Sequence, residues 1–240
     1  MILFAAATAR ELEHFCPGNE GFDFKSGLRQ AAVYCGCRVG FLVCGLGPLN
    51  AALGLQRLLL SGSGVELVIN VGIAGSYDLE EYPLGSVCRA KAEIWPEYGI
   101  RTGDAHVDVR ALGFPLLGRG KSALWNRIDL DAEELSGFKD ILHLGPDAPW
   151  NRAVSLSVSG VSGSVALARR LAQGYRADME NMEGFALAYV CRVHGVPFVE
   201  IRTISNLAGS RAGSDWNLKA AFASLGRTWD RLWKRKKEMR

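Results

Sequence analysis

Ala177-Asp178-Met179-Glu180-Asn181-Met182-Glu183-Gly184-Phe185-Ala186-Leu187-Ala188 sets carboxylates and methionines at the start of an otherwise apolar segment. From Glu183 onward, Phe185, Ala186, Leu187, Tyr189, Val190 and Val193 recur at the spacing of a largely buried helix, so the acids fall at its N-terminus. The helix dipole favours negative charge there, and Asp178 and Glu180 read as N-terminal capping acids. Glu183 stands differently, at the junction of loop and helix between Met182 and the small Gly184, where a carboxylate faces a pocket with an apolar floor. That pair suits a sugar: the carboxylate accepts from two vicinal hydroxyls while the thioether packs on the ring face.

Asn181-Met182-Glu183-Gly184, followed by Phe198-Val199-Glu200-Ile201-Arg202-Thr203-Ile204-Ser205-Asn206, resembles the paired signature of the purine nucleoside phosphorylase and nucleosidase superfamily. More narrowly, the chain is similar to the futalosine hydrolases of menaquinone biosynthesis, and the likeness runs over nearly its whole length. The resemblance implies one α/β domain over residues 1–240, in three α/β/α layers around a central twisted mixed β-sheet. It also implies hydrolysis of an N-glycosidic bond without a cofactor, by a homo-oligomer whose neighbouring subunit completes the pocket on the 5′ side of the ribose.

The 240 residues, 48% of them hydrophobic, suffice for one substantial core. No apolar run reaches the roughly 18 residues that a membrane helix needs. The apolar start at residues 1–7 lacks a basic flank and stops at Thr8 and Arg10, so it predicts a buried strand rather than a signal peptide. A net charge of +3 from 28 basic and 25 acidic residues gives no case for nucleic acid, and Lys234-Arg235-Lys236-Lys237 with Arg240 would close the last helix. The six cysteines, at 16, 35, 37, 44, 88 and 191, lack disulfide-framework spacing and read as thiols of a cytoplasmic protein. Cys35 and Cys37 form a close pair without matched second ligands, so no metal site is expected.

Strands and helices interleave along the chain. A strand over 2–7 and a helix over 9–15 capped by Thr8 come first, then strands over 22–24, 28–35 and 38–44. Cys44-Gly45-Leu46-Gly47-Pro48 opens a helix to about Leu60; Asn50 replaces the third glycine of a dinucleotide fingerprint, so the glycines predict close backbone approach rather than a cofactor. A strand over 65–71 ends in the loop Asn70-Val71-Gly72-Ile73-Ala74-Gly75, and another spans 85–94. The pattern weakens over 99–149 and returns as a strand over 153–159, a helix over 165–173, and a strand over 198–204 whose Glu200 and Arg202 need partners. A final helix is expected from about Ser214 to near Glu238.

Open α/β sheets bind ligands at the carboxyl ends of their strands, which makes Glu11 a candidate. Under the resemblance, Glu11 before Leu12 matches a glutamate that holds the attacking water, and Gly72 belongs to a substrate-binding loop in which adenosine-type nucleosidases often carry a hydroxyl residue in place of Ile73. Val161, Ser162 and Gly163 would lie beside the purine, Met182 and Glu183 would take the ribose, and Asn206 would bond the base. Ser162 and Ser164 also read as turn and cap residues. A 6-oxopurine presents acceptors at N7 and O6, to which the Asn206 amide can donate, and that points to hypoxanthine as the leaving base. Arg211 and Trp216 match residues expected against an aromatic carboxylate on the 5′ side. Phosphorolysis stays open because Arg10 could hold phosphate, although Ala5 to Ala7 offer no glycine nest. A methylthioadenosine or S-adenosylhomocysteine nucleosidase is disfavoured by Asn206 and Ile73, and a noncatalytic nucleoside-binding protein by Glu11 and Glu183.

Overall fold

The first strand shows how the layers arise. In β1 (Ile2–Ala6) successive side chains alternate between two faces, so Ile2, Phe4 and Ala6 enter one core and Leu3 and Ala5 another. Both faces are covered, which is why the strand is apolar throughout. A computed structural model describes residues 1–16, 29–101, 107–130, 133–138, 140–144 and 148–233. The strand expected over 22–24 and the basic end at 234–240 lie outside the described residues.

After β1 come α1 (Ala9–Phe15), β2 (Arg29–Tyr34), β3 (Cys37–Val43), α2 (Pro48–Leu60), β4 (Leu67–Ser76) and β5 (Val87–Ile94). The pair β6 (Ile100–Arg101) and β7 (Val107–Asp108) precedes β8 (Arg127–Asp129), β9 (Asn151–Ser157), α3 (Val165–Tyr175), β10 (Met179–Asn181), α4 (Gly184–His194), β11 (Phe198–Leu207) and α5 (Leu218–Leu232). The main sheet runs β10-β9-β5-β11-β4-β1-β3-β2 and is mixed. Helices α1 and α5 cover one face, and α2 and α4 the other, which gives the expected α/β/α layers.

The sheet also curls on itself. β10 pairs β9 on one side and the far end of β4, antiparallel, on the other, so β4, β11, β5, β9 and β10 close a ring. The reading of 70–75 as a loop is corrected: β4 runs on to Ser76 and pairs with β11 through these residues. Gly72 and Gly75 admit neighbours there that a side chain would displace, since a Cβ at Gly75 would stand 3.0 Å from Asn206 Nδ2. The acids at 178 and 180 are corrected too, because a strand and not a helix start holds this stretch. Asp178 Oδ2 accepts from Val154 N at 2.7 Å, and Glu180 is a strand residue.

Helix boundaries follow local chemistry. Thr8 and Glu11 form a reciprocal capping box on α1, Ser164 caps α3, and Gly195 ends α4 in the left-handed region. Helix α5 is capped by Asn217, whose side chain accepts from Ala220 N at 2.9 Å; the expected start at Ser214 falls instead in a preceding 3₁₀ turn. Within the first core Phe4, Phe15, Tyr34, Phe41, Trp229 and Trp233 form one aromatic cluster, with Tyr34–Trp229 centroids 4.8 Å apart.

Candidate active site

Strand ends and helix starts converge on a cavity of about 370 Å³. Its wall includes Glu11, Ile73, Gly75, Val161, Met182, Glu183, Asn206 and Trp216. A recess of about 50 Å³ shares Gly75, Val161, Glu180, Asn206 and Trp216 with it and adds Ser162 and Arg211. Residues from the carboxyl ends of β4 and β11 and from the segments that follow β1 and β10 therefore meet at one place.

Glu11 is buried, and its carboxylate is fixed from three directions. Oε2 accepts from Thr8 N and Thr8 Oγ1, both at 2.9 Å, and Oε1 accepts from Ile73 N at 3.1 Å. At position 73 the main chain supplies the donor, so the lack of a hydroxyl side chain removes nothing from Glu11. Gly72 does not line the cavity but lies behind Glu11: a Cβ there would stand 2.5 Å from Glu11 Oε1 and 2.7 Å from Arg202 Nη1.

Glu183 enters from the start of α4. Its Oε1 accepts from Gly47 N at 3.0 Å and its Oε2 faces Arg202 Nη2 at 3.7 Å. Gly47 opens α2 at φ 83°, so the glycine turn delivers a main-chain donor to the carboxylate. Burial raises the Glu183 pKa above the ordinary carboxylate value, against the opposing pull of Arg202 and Gly47. Arg202 is fully buried; burial works against its charge, but Glu200, Glu183 and Glu11 hold its pKa above the ordinary value. The expected partners of Glu200 and Arg202 are in part each other, with Nε to Oε1 at 2.7 Å.

On the other side of the cavity, Asn206 Oδ1 accepts from Ser205 Oγ at 2.8 Å and Nδ2 donates to Leu207 O at 3.1 Å, which leaves one amide N–H for a ligand. Glu180 is the residue that the sequence hid. It is buried between the two hollows and accepts from Ser162 N at 3.0 Å, Ser162 Oγ at 2.6 Å and Tyr77 Oη at 2.9 Å. Burial, with the Glu180 charge beside it, pushes the Tyr77 phenol up and keeps it a donor. Ser162 N and Oγ are both given to Glu180, so this serine braces the carboxylate rather than closing a turn, and it lines the recess. Gly163 lines neither hollow. Met182 and Val161 lie on the cavity wall, and Trp216 Nε1 donates to Ser210 O at 3.0 Å. Arg211 is exposed at the recess, beside Asn206 rather than beside Glu183. Arg10 stacks over the Phe222 ring at 4.7 Å on the cavity wall.

The profile of the phosphorylase superfamily matches residues 3–228. A futalosine hydrolase of Thermus thermophilus is 34% identical over 192 residues, 80% of each chain, and one of Streptomyces coelicolor is 32% identical over 77% of this chain and 74% of the relative. A 5′-methylthioadenosine/S-adenosylhomocysteine nucleosidase of Treponema pallidum is 31% identical over 81% of this chain and 76% of its own. Among solved structures, a futalosine hydrolase mutant of Helicobacter pylori shares the fold with a TM-score of 0.69 over 96% of both chains at 19% identity. The match over almost the full length, on a sheet whose strand ends gather these carboxylates around one cavity, shows that the chain belongs to the phosphorylase superfamily.

Proposed function

We propose that the chain is a nucleosidase that hydrolyses the N-glycosidic bond of futalosine and releases hypoxanthine, a step of menaquinone biosynthesis. The observation that carries this reading is one cavity walled by an anchored carboxylate, Glu11, by a second buried carboxylate, Glu183, and by the neutral amide of Asn206. Glu11 orients the attacking water and takes its proton, while Glu183 accepts from the ribose hydroxyls with Met182 against the ring. The two carboxylates also favour positive charge developing on the sugar as the base departs. Asn206 donates to the O6/N7 edge of the base. Glu180 accepts from N1–H of a 6-oxopurine; adenine has only a lone pair at that atom, which a carboxylate repels.

Water is favoured over phosphate because the donors at the end of β1, Thr8 N and Thr8 Oγ1, are already given to Glu11. The two futalosine hydrolase relatives support the substrate, and Asn206 weighs against the aminopurine nucleosides named for the Treponema relative. A homo-oligomer is supported by Leu46 on the cavity wall and by Leu49 and Leu53 on α2, which expose 63%, 78% and 70% of their surface. Cysteines outside any disulfide, four of them buried, fit the cytoplasm.

The test is purine release from futalosine, inosine and methylthioadenosine, each with and without phosphate. Phosphate-independent hypoxanthine release from futalosine is expected, and Glu11→Gln should lower kcat by about 10²- to 10⁴-fold. Phosphate-dependent cleavage of inosine would make the protein a phosphorylase with Arg10 as an anion ligand, and binding without turnover would make it a noncatalytic nucleoside binder.

A further inference from the structure

Behind Glu183 lies a second tier of acids that the proposed chemistry does not use. Glu93 from β5 and Glu200 from β11 are fully buried, and their carboxyl groups converge on Gly184. A Cβ at that glycine would stand 2.4 Å from Glu93 Oε1 and 2.5 and 2.6 Å from the two Glu200 oxygens. Glu200 Oε1 accepts from Arg202 Nε at 2.7 Å and Asn70 Nδ2 at 3.2 Å, so this oxygen is the anionic end of the pair. Glu200 Oε2, equally buried, has no N–H or hydroxyl donor among the described residues. The group beside it is the Glu93 carboxyl.

Charge leads to the same place. Glu11, Glu183 and Glu200 are all buried around one guanidinium, that of Arg202, and Glu93 is buried against Glu200. Four ionised carboxylates against one cation at this depth would be prohibitively costly, and a cluster of this kind keeps a proton instead. Glu93 is where the proton belongs. It faces Glu200 of β11, Asn181 of β10 and Ser155 and Ser157 of β9, while β8 opposes it with apolar Ile128. Burial, and then the Glu200 charge, hold its pKa well above the ordinary glutamate value.

We propose that Glu93 and Glu200 share one proton, donated by the Glu93 carboxyl to Glu200 Oε2, and that this pair positions the ribose-gripping carboxylate of Glu183. The route is continuous. Glu93 Oε1 accepts from Asn181 Nδ2 at 2.8 Å, which turns Asn181 Oδ1 the other way. That oxygen accepts from Glu183 N at 2.8 Å, Gly184 N at 2.7 Å and Arg202 Nη2 at 3.1 Å, and so sets the first turn of α4. Ser157 adds a second strap: its hydroxyl donates to Glu93 Oε2 at 2.7 Å and accepts from Phe185 N at 2.6 Å. Glu200, kept anionic, aims Arg202 at Glu183. Ionisation of Glu93 would set two like charges together at Gly184 and disturb every one of these contacts.

The positioning role rests on the nucleosidase reading; the proton itself does not, and the experiment separates the two. Infrared spectra of protein carrying ¹³C-labelled glutamate should show a protonated carboxyl stretch at neutral pH, lost in Glu93→Gln. A wild-type spectrum with only ionised glutamate overturns the proposal, whether or not any variant folds. With futalosine, Glu93→Ala should lower kcat/KM by about tenfold or more, because two buried groups lose their partner. Glu93→Gln should recover most of that loss and move the alkaline limb of the kcat/KM profile to higher pH, since an amide donates to Glu200 without ionising. An unchanged alkaline limb, or a glutamine as impaired as the alanine, overturns the positioning role. Failure of the wild type to cleave futalosine, with the infrared band present, would instead overturn the substrate assignment alone.

Discussion

On the proposed reading of the base site, Asn206 has one free amide N–H for a purine, and Glu180, across the recess, is an acceptor braced by three donors. Together they match a lactam base and mismatch an amidine one. Asn206→Asp should therefore shift the kcat/KM ranking toward aminopurine nucleosides, and Glu180→Gln should narrow the preference by about tenfold, the value of one hydrogen bond to a charged group. A base ranking unchanged in both would remove these residues from recognition. Glu183 carries its own prediction. Only the ionised carboxylate accepts from both ribose hydroxyls, and burial raises its pKa, so the acid limb of kcat/KM should lie at higher pH than for an exposed glutamate. Glu183→Gln should abolish that limb and lower kcat/KM by about tenfold to a hundredfold. For the carboxylate on the 5′ side, Arg10 over Phe222 is a cation with an aromatic neighbour on the cavity wall, whereas Arg211 stands beside Asn206 at the base end. Arg10→Ala should raise the KM for futalosine more than Arg211→Ala does; the reverse order would return the role to Arg211.

At the scale of elements, α5 is held chiefly by its aromatic face. Trp229 is buried against Phe4, Phe15, Tyr34 and Trp233, and Trp229→Ala should destabilise the fold by about 3–5 kcal/mol in denaturant titration while the site residues stay in place. A loss below about 1 kcal/mol would mean that the cluster collapses around the gap. Much of this organisation was legible. The apolar runs of β1, β9 and β11 and the start of α1 carry their own period and caps, and Glu11, Glu183 and Asn206 stand at junctions where a strand gives way to a turn or helix. β10 was not legible, because three residues with no alternation to display are held by partners far along the chain. The acids flanking it therefore looked like helix caps. Nor could Glu93, Gly47 or Glu180 be assigned from spacing, since their partners lie 88, 136 and 18 residues away.

For the whole molecule, buried carboxyl groups set the pH response of stability. Glu93 and Glu183 both have folded-state pKa values above the ordinary carboxylate value. Between the unfolded and folded pKa values the native chain holds protons that the unfolded chain has released, so stability is greatest on the acid side and falls as pH rises through that window. The Tm should decline from weakly acidic toward alkaline pH, and Glu93→Gln should flatten the decline; a slope unaltered by that substitution would remove Glu93 as its source. The ring of strands bears on how the molecule comes into being. β4 cannot acquire its partners β10 and β11 until more than a hundred further residues have been made. During synthesis the early strands wait with one flank unpaired, in the interval when chains are most open to misassociation and to chaperones. Closure of the ring brings Glu183 and Asn206 to Glu11, so the newborn protein cannot complete its site before β11 has been made.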